Sequence, residues 1–163
     1  MTDSRLVAVI VTVAALAAPV SVDAQSATQV VRFQVNAINQ IAVSGNPAPL
    51  VLNSAAAGSA PTSVTANGST YAITTNEANQ KITASIDQAL PIGVTLDVTL
   101  AAPAGAASIA SVPLSTSGAD VVTGISSVAA GALPITYRLS ATPTVQMAAP
   151  AARTVTFTIV SGT

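Results

Sequence analysis

Thr154-Val155-Thr156-Phe157-Thr158-Ile159 places an apolar side chain at every second position, with threonines between. A period of two sends one row of side chains to a core and the other to water, which is the signature of a half-covered strand. Two further stretches repeat it. Val94, Leu96, Val98 and Leu100 alternate with Thr95, Asp97 and Thr99, and Ile135, Tyr137, Leu139 and Ala141 alternate with Thr136, Arg138 and Ser140. Weaker versions of the pattern predict strands over residues 30–38, 40–43, 50–52, 70–75, 80–87, 108–114 and 119–125. Nowhere does a long segment space its apolar residues by three and four, as a helix would require. The expected fold is all-β: an Ig-like antiparallel β-sandwich of roughly 7–10 short strands.

The connectors are read the same way. Residues 75–80, Thr-Asn-Glu-Ala-Asn-Gln, have the polar composition of a hairpin loop, and Asn67-Gly68-Ser69 reads as a turn. Small residues over 44–49, 53–69 and 101–107 predict loops, and a short helical turn fits the Ala-rich connector at 126–130. Residues 36–40 break the alternation and suggest a bulge or kink. The only rings are Phe33, Tyr71, Tyr137 and Phe157, all within alternating stretches, and core packing is the expectation for each.

Arg5 is followed by an apolar run over residues 6–20, then by polar Ser21 and the small-residue pattern Val22-Asp23-Ala24. This is the layout of an export signal with cleavage after Ala24, and the run is short for a bilayer span of about 20 residues. Residues 1–24 are therefore expected to be a cleaved signal peptide and residues 25–163 a single β-sandwich domain, secreted or held at the cell surface in the periplasm or outside. The only membrane connection implied is the export signal. After cleavage Arg32, Lys81, Arg138 and Arg153 balance Glu77, Asp87, Asp97 and Asp120, leaving a net charge of zero. A chain with so little self-repulsion tends to associate, and it offers no basic surface for nucleic acid.

The chemical inventory is narrow. The 163 residues contain no Cys, His or Trp, and 7% are charged. General bases and metal ligands are usually His, Cys, Asp or Glu, and the few carboxylates here are scattered singly. The one lysine, Lys81, shares its strand face with Thr83, Ser85 and Asp87, so it reads as a solvated polar position. Gly45, Gly93, Gly118 and Gly124 lack phosphate-cradling spacing and read as turn residues. The sequence predicts no catalytic residue, no cofactor, no metal and no evident small-molecule substrate, and so no enzyme.

The terminal strands carry what functional signal there is. Val31, Phe33 and Val35 alternate with Arg32, Gln34 and Asn36 near the expected mature start, and Val155, Phe157 and Ile159 form the last strand. Such strands either close their own sandwich or pair with a neighbour's open edge. Taken with the signal peptide and the cysteine-free, Thr- and Ala-rich middle, Val31-Arg32-Phe33-Gln34-Val35-Asn36-Ala37 and the final Thr-rich strand resemble exported bacterial pilin-type β-sandwich subunits. The layout is most similar to the cysteine-free class of chaperone-usher fimbrial subunits and related surface-layer or coat proteins. That resemblance implies that an N-terminal strand completes a neighbouring subunit's sandwich, with Val31, Phe33 and Val35 as the inserted positions. The leading expectation is thus a secreted or cell-surface structural subunit, pilin-like or coat-like, acting through strand pairing and packing with itself or other surface proteins. The competing one is a monomeric extracellular binding module or adhesin that holds a partner with loops 46–69 and 101–108.

Overall fold

The structure, a computed structural model, describes residues 25–146 and 149–162. The expected signal peptide, residues 1–24, lies outside them. The chain divides into residues 1–34 and 35–163. Of the first unit, residues 25–34 are exposed and belong to no strand.

The second unit is a β-sandwich without helix among the described residues. Nine strands follow in order: β1 (Asn39–Ser44), β2 (Val64–Thr75), β3 (Gln80–Ile86), β4 (Val94–Leu100), β5 (Ala107–Ser108), β6 (Val112–Pro113), β7 (Ala119–Ile125), β8 (Val128–Ala141) and β9 (Val155–Ser161). One antiparallel sheet has the order β1-β2-β8-β4-β6 and the other β5-β7-β3-β9. The core between them holds Tyr71 and Ile73 of β2, Ile82 and Ile86 of β3, Val98 and Leu100 of β4, Val121, Val122 and Ile125 of β7, and Ile135 and Tyr137 of β8. Aliphatic residues dominate it, as expected for a chain with four rings.

A bulge sets the register of the longest pairing. Between Ala66 and Ser69 the β2–β8 ladder shifts, and Gly68 takes a φ of 110°. The inward residues of β2 are even-numbered before the shift (Ala66) and odd-numbered after it (Ser69, Tyr71, Ile73, Thr75). Without that extra residue Tyr71 and Ile73 would face water, because a one-residue slip exchanges the two faces of a strand. Asn67-Gly68-Ser69 is therefore a bulge inside β2 and not the expected turn. Loop 53–69 accordingly ends early, since β2 begins at Val64.

Other expectations are corrected by pairing. Residues 126–130 form no helical turn: Ser127, with φ 41°, makes a tight turn, and β8 begins at Val128 opposite Thr75. The β2 ladder overrides the helix preference of Ala129 and Ala130. Residues 75–80 are not a hairpin loop, because β2 and β3 lie in different sheets and the segment crosses between them. The 108–114 strand is split the same way into β5 in one sheet and β6 in the other, with Ser111 at φ 53° in the crossing. Residues 50–52 form no strand, although Leu50 packs on the core while Val51 is exposed. The strands expected over 40–43, 70–75, 80–87, 94–100, 119–125, 135–141 and 154–159 are all present, several of them longer than their patterns suggest.

Residues 30–38 depart furthest. No strand forms there, and β1, starting at Asn39, takes the edge position beside β2. Alternation specifies which side chains share a face, but only a partner edge turns an extended segment into a strand. Phe33 is consequently not a core residue: it is 91% exposed.

Candidate functional site

The backbone edges of the two sheets are unequal. One side of the sandwich ends in β5 and β6, each two residues long, with Pro113 in β6. Short strands and proline are common ways to keep an edge from recruiting another chain. The opposite side ends in β1, six residues, and β9, seven residues. Neither Asn39–Ser44 nor Val155–Ser161 contains a charged residue or a proline. These two edges are long and lack the usual protection.

The core is also thin along that side. Val155, Phe157 and Ile159 of β9 and Ile41 of β1 pack against the buried cluster but stay only half-buried. Val43, two residues beyond Ile41 on the same face of β1, is 50% exposed. At this seam β1 and β9 approach within 8 Å between Cα atoms, and among the described residues no strand lies between them. An added strand would lie beside β9, where every second side chain points inward over the seam.

The sequence-predicted residues fall into two sets. Val155, Phe157 and Ile159 are brought together on β9, which pairs with β3 from Ile86↔Val155 to Gln80↔Ser161 and, among the described residues, has no strand on its other edge. Val31, Phe33 and Val35 sit in the segment preceding β1, with exposures of 72%, 91% and 76%. Val30 adds a fourth apolar residue there at 85%. Four large apolar side chains within six residues, all in water, form the most exposed apolar run among the described residues.

A polar corner that sequence reading missed holds the root of this arm. The Ile38 amide donates to Asn76 Oδ1 (2.8 Å), the Asn76 amide to the Ile38 carbonyl (3.2 Å), and Asn76 Nδ2 to the Asn36 carbonyl (2.8 Å). Beside it Thr75 Oγ1 donates to Asn39 Oδ1 (2.6 Å), and Asn39 Nδ2 donates to Glu77 Oε2 (2.7 Å). The side-chain part of this corner joins residues some 38 apart, and turn composition alone could not reveal the partner.

The charged and phenolic side chains of the described residues make local polar contacts. Lys81 Nζ lies 3.1 Å from Asp120 Oδ2 on the neighbouring strand β7, a partly exposed ion pair between polar faces. Asp97 accepts from Ser111 Oγ (3.2 Å) and lies 3.9 Å from Arg138 Nη1. Among the described residues no cluster of three carboxylates could hold a metal. Burial pushes the pKa of Tyr71 up to about 12 and raises that of Tyr137; the Tyr71 hydroxyl donates to the Ala101 carbonyl (2.5 Å), a structural bond. Two surface depressions are open: one of about 290 Å³ lies beside Ile38, Asn76 and Ser127, and one of about 160 Å³ is lined by residues of β1 and β2. Loops 46–69 and 101–108 carry no aromatic and no charged side chain.

Comparison with protein-family models, curated proteins and solved structures found no match for this chain.

Proposed function

We propose that this protein is an exported or cell-surface structural subunit that assembles with copies of itself by strand addition, without turning over a substrate. Residues 30–35 of one copy lie along the open edge of β9 in the next. The exposed run Val31, Phe33, Val35 carries this reading, because its period of two matches that of Val155, Phe157 and Ile159 on an edge that is half-covered and unprotected. Backbone hydrogen bonds along β9 would give the junction its affinity. The three alternate side chains would cover the seam between β9 and β1.

The export signal expected over residues 1–24 supports a location outside the cytosol, and the balanced charge of residues 25–163 supports close packing of identical subunits. The resemblance to cysteine-free fimbrial and coat subunits points the same way. Sedimentation velocity and negative-stain microscopy of residues 25–163 test the proposal. Oligomers that grow with concentration are expected, and deletion of residues 25–35 should leave monomers. A synthetic peptide of residues 29–37 should cap growth, whereas the same peptide with Phe33→Arg should not. A strictly monomeric intact protein at every concentration refutes assembly.

A further inference from the structure

Resting on the assembly reading, the geometry points to Asn76 as a positioning residue that directs the arm into a second copy and keeps it from folding back onto its own subunit. The arm joins β1 through residues 36–38 alone. A hairpin returning residues 30–35 along β1 would use those three residues as its turn. Three-residue hairpin loops commonly need a left-handed residue, and none of residues 36–38 has a positive φ.

Asn76 explains why the chain stays extended there. It continues the β1–β2 ladder past Asn39↔Thr75 by exchanging amide and carbonyl bonds with Ile38 through its side chain and backbone. Its Nδ2 then reaches two residues further to the Asn36 carbonyl. Residues 36–38 are thereby held on the β2 side of β1, opposite the edge a returning strand would occupy. With this corner closed, the earliest possible turn moves back to residues 33–35. Phe33 and Val35 are then consumed in the bend, and too few alternate apolar residues remain to cover the seam. A second copy's seam meets no such restriction.

The absence of cysteine makes the test direct. Arg32→Cys is combined in turn with Thr156→Cys, Thr158→Cys or Val160→Cys, exposed positions that leave Phe33 and the inward row of β9 in place, since directly opposed strand positions lie within disulfide reach. After oxidation, non-reducing electrophoresis separates chains linked to one another from monomers closed on themselves. With Asn76 intact, interchain ladders are expected. Asn76→Ala should raise the ratio of intrachain to interchain product about ten-fold at equal concentration, from the loss of the side-chain bonds. Asn76→Asp, which keeps the acceptor for the Ile38 amide and loses the donor to the Asn36 carbonyl, should fall between. Three glycines inserted between Val35 and Asn36 leave Asn76 untouched and should also raise intrachain product, because the arm can then turn without spending Phe33.

An unchanged ratio in a folded Asn76→Ala protein overturns the positioning role, all the more if the glycine insertion shifts it. Should Asn76→Ala fail to fold, an insertion that yields no intrachain product overturns the role instead. No crosslink of either kind at any of the three β9 positions refutes the assembly reading, and this inference with it.

Discussion

Replacing Phe33 by Ala separates folding from assembly. The ring is 91% exposed, so the folded subunit gains almost nothing from it, and its stability should change by less than about 0.5 kcal/mol. If a neighbour's β9 edge covers the ring, each junction loses the burial of one phenylalanine, worth about 1.5–3 kcal/mol. At about 1.4 kcal/mol per factor of ten, the association constant per junction should drop about 10- to 150-fold. Sedimentation velocity across a dilution series reads this as a shift of the association midpoint to higher concentration, and thermal denaturation of the dilute protein reads the stability. Ile92→Ala is the matched control, since Ile92 is 100% exposed but lies before β4, which pairs with β8 and β6 and not with β1 or β9. Equal midpoints for the two variants refute the junction. A melting temperature lowered by several degrees in Phe33→Ala would place the ring in its own subunit's core and refute the reasoning from the other direction.

Other expectations follow from the fold itself. Tyr71 keeps its proton to about pH 12 because burial penalises the phenolate, whereas the unfolded phenol ionises near 10; the stability this contributes is complete below pH 10 and is lost as pH rises from about 10 to about 12. With two tyrosines and no tryptophan, absorbance at the phenolate band should show the delayed ionisation directly, and Tyr71→Phe should remove its highest-pH component. That variant also loses the bond to the Ala101 carbonyl and should melt about 3–5 °C lower, from a loss of about 1 kcal/mol; an unchanged melt would show that the bond contributes nothing. Gly45, with φ 76°, sits where a Cβ would collide with the Gly68 carbonyl at the β2 bulge, so Gly45→Ala should cost about 2 kcal/mol or more in chemical denaturation, and a neutral result would show that the bulge can shift. Lys81→Met should cost less than about 1 kcal/mol, and the difference from the parent should shrink in high salt, because the Lys81–Asp120 pair is partly exposed.

The strands of the core were legible because their period of two survives in the side chains: Val155, Phe157 and Ile159 point inward as expected, and so do Ile135 and Tyr137. What the pattern omits is the identity of the partner edge. Residues 75–80 have the composition of a turn, yet whether that turn joins neighbours or crosses between sheets depends on β2 choosing β1 and β8. The bulge at Gly68 was misread for a related reason, since Asn-Gly suits a turn and a bulge alike, and only the opposing β8 residues distinguish them. At the candidate site both runs of alternation were visible, but they proved unequal: β9 is in a sheet, and residues 30–35 are not. The Asn76 corner was invisible because its side-chain bonds link positions far apart in the chain.

Three features of this molecule are liabilities if it lives alone and cease to be so if it does not. A subunit designed to stay monomeric would shorten or charge its outer strands, as this chain does at β5 and β6, and the same treatment is missing at β1 and β9. It would not hold Val30, Val31, Phe33 and Val35 in water within six residues. Nor would it balance four cations against four anions over residues 25–163, which removes long-range repulsion between copies. The proposed strand addition would resolve all three together: the arm's apolar row would cover Ile41, Val43 and Phe157, its backbone would pair the edge of β9, and neutrality would let identical subunits approach. The asymmetry between the two sides of the sandwich weighs most. General stickiness would leave both sides alike, whereas an edge blunted on one side and open on the other fits a chain with one place for one neighbour.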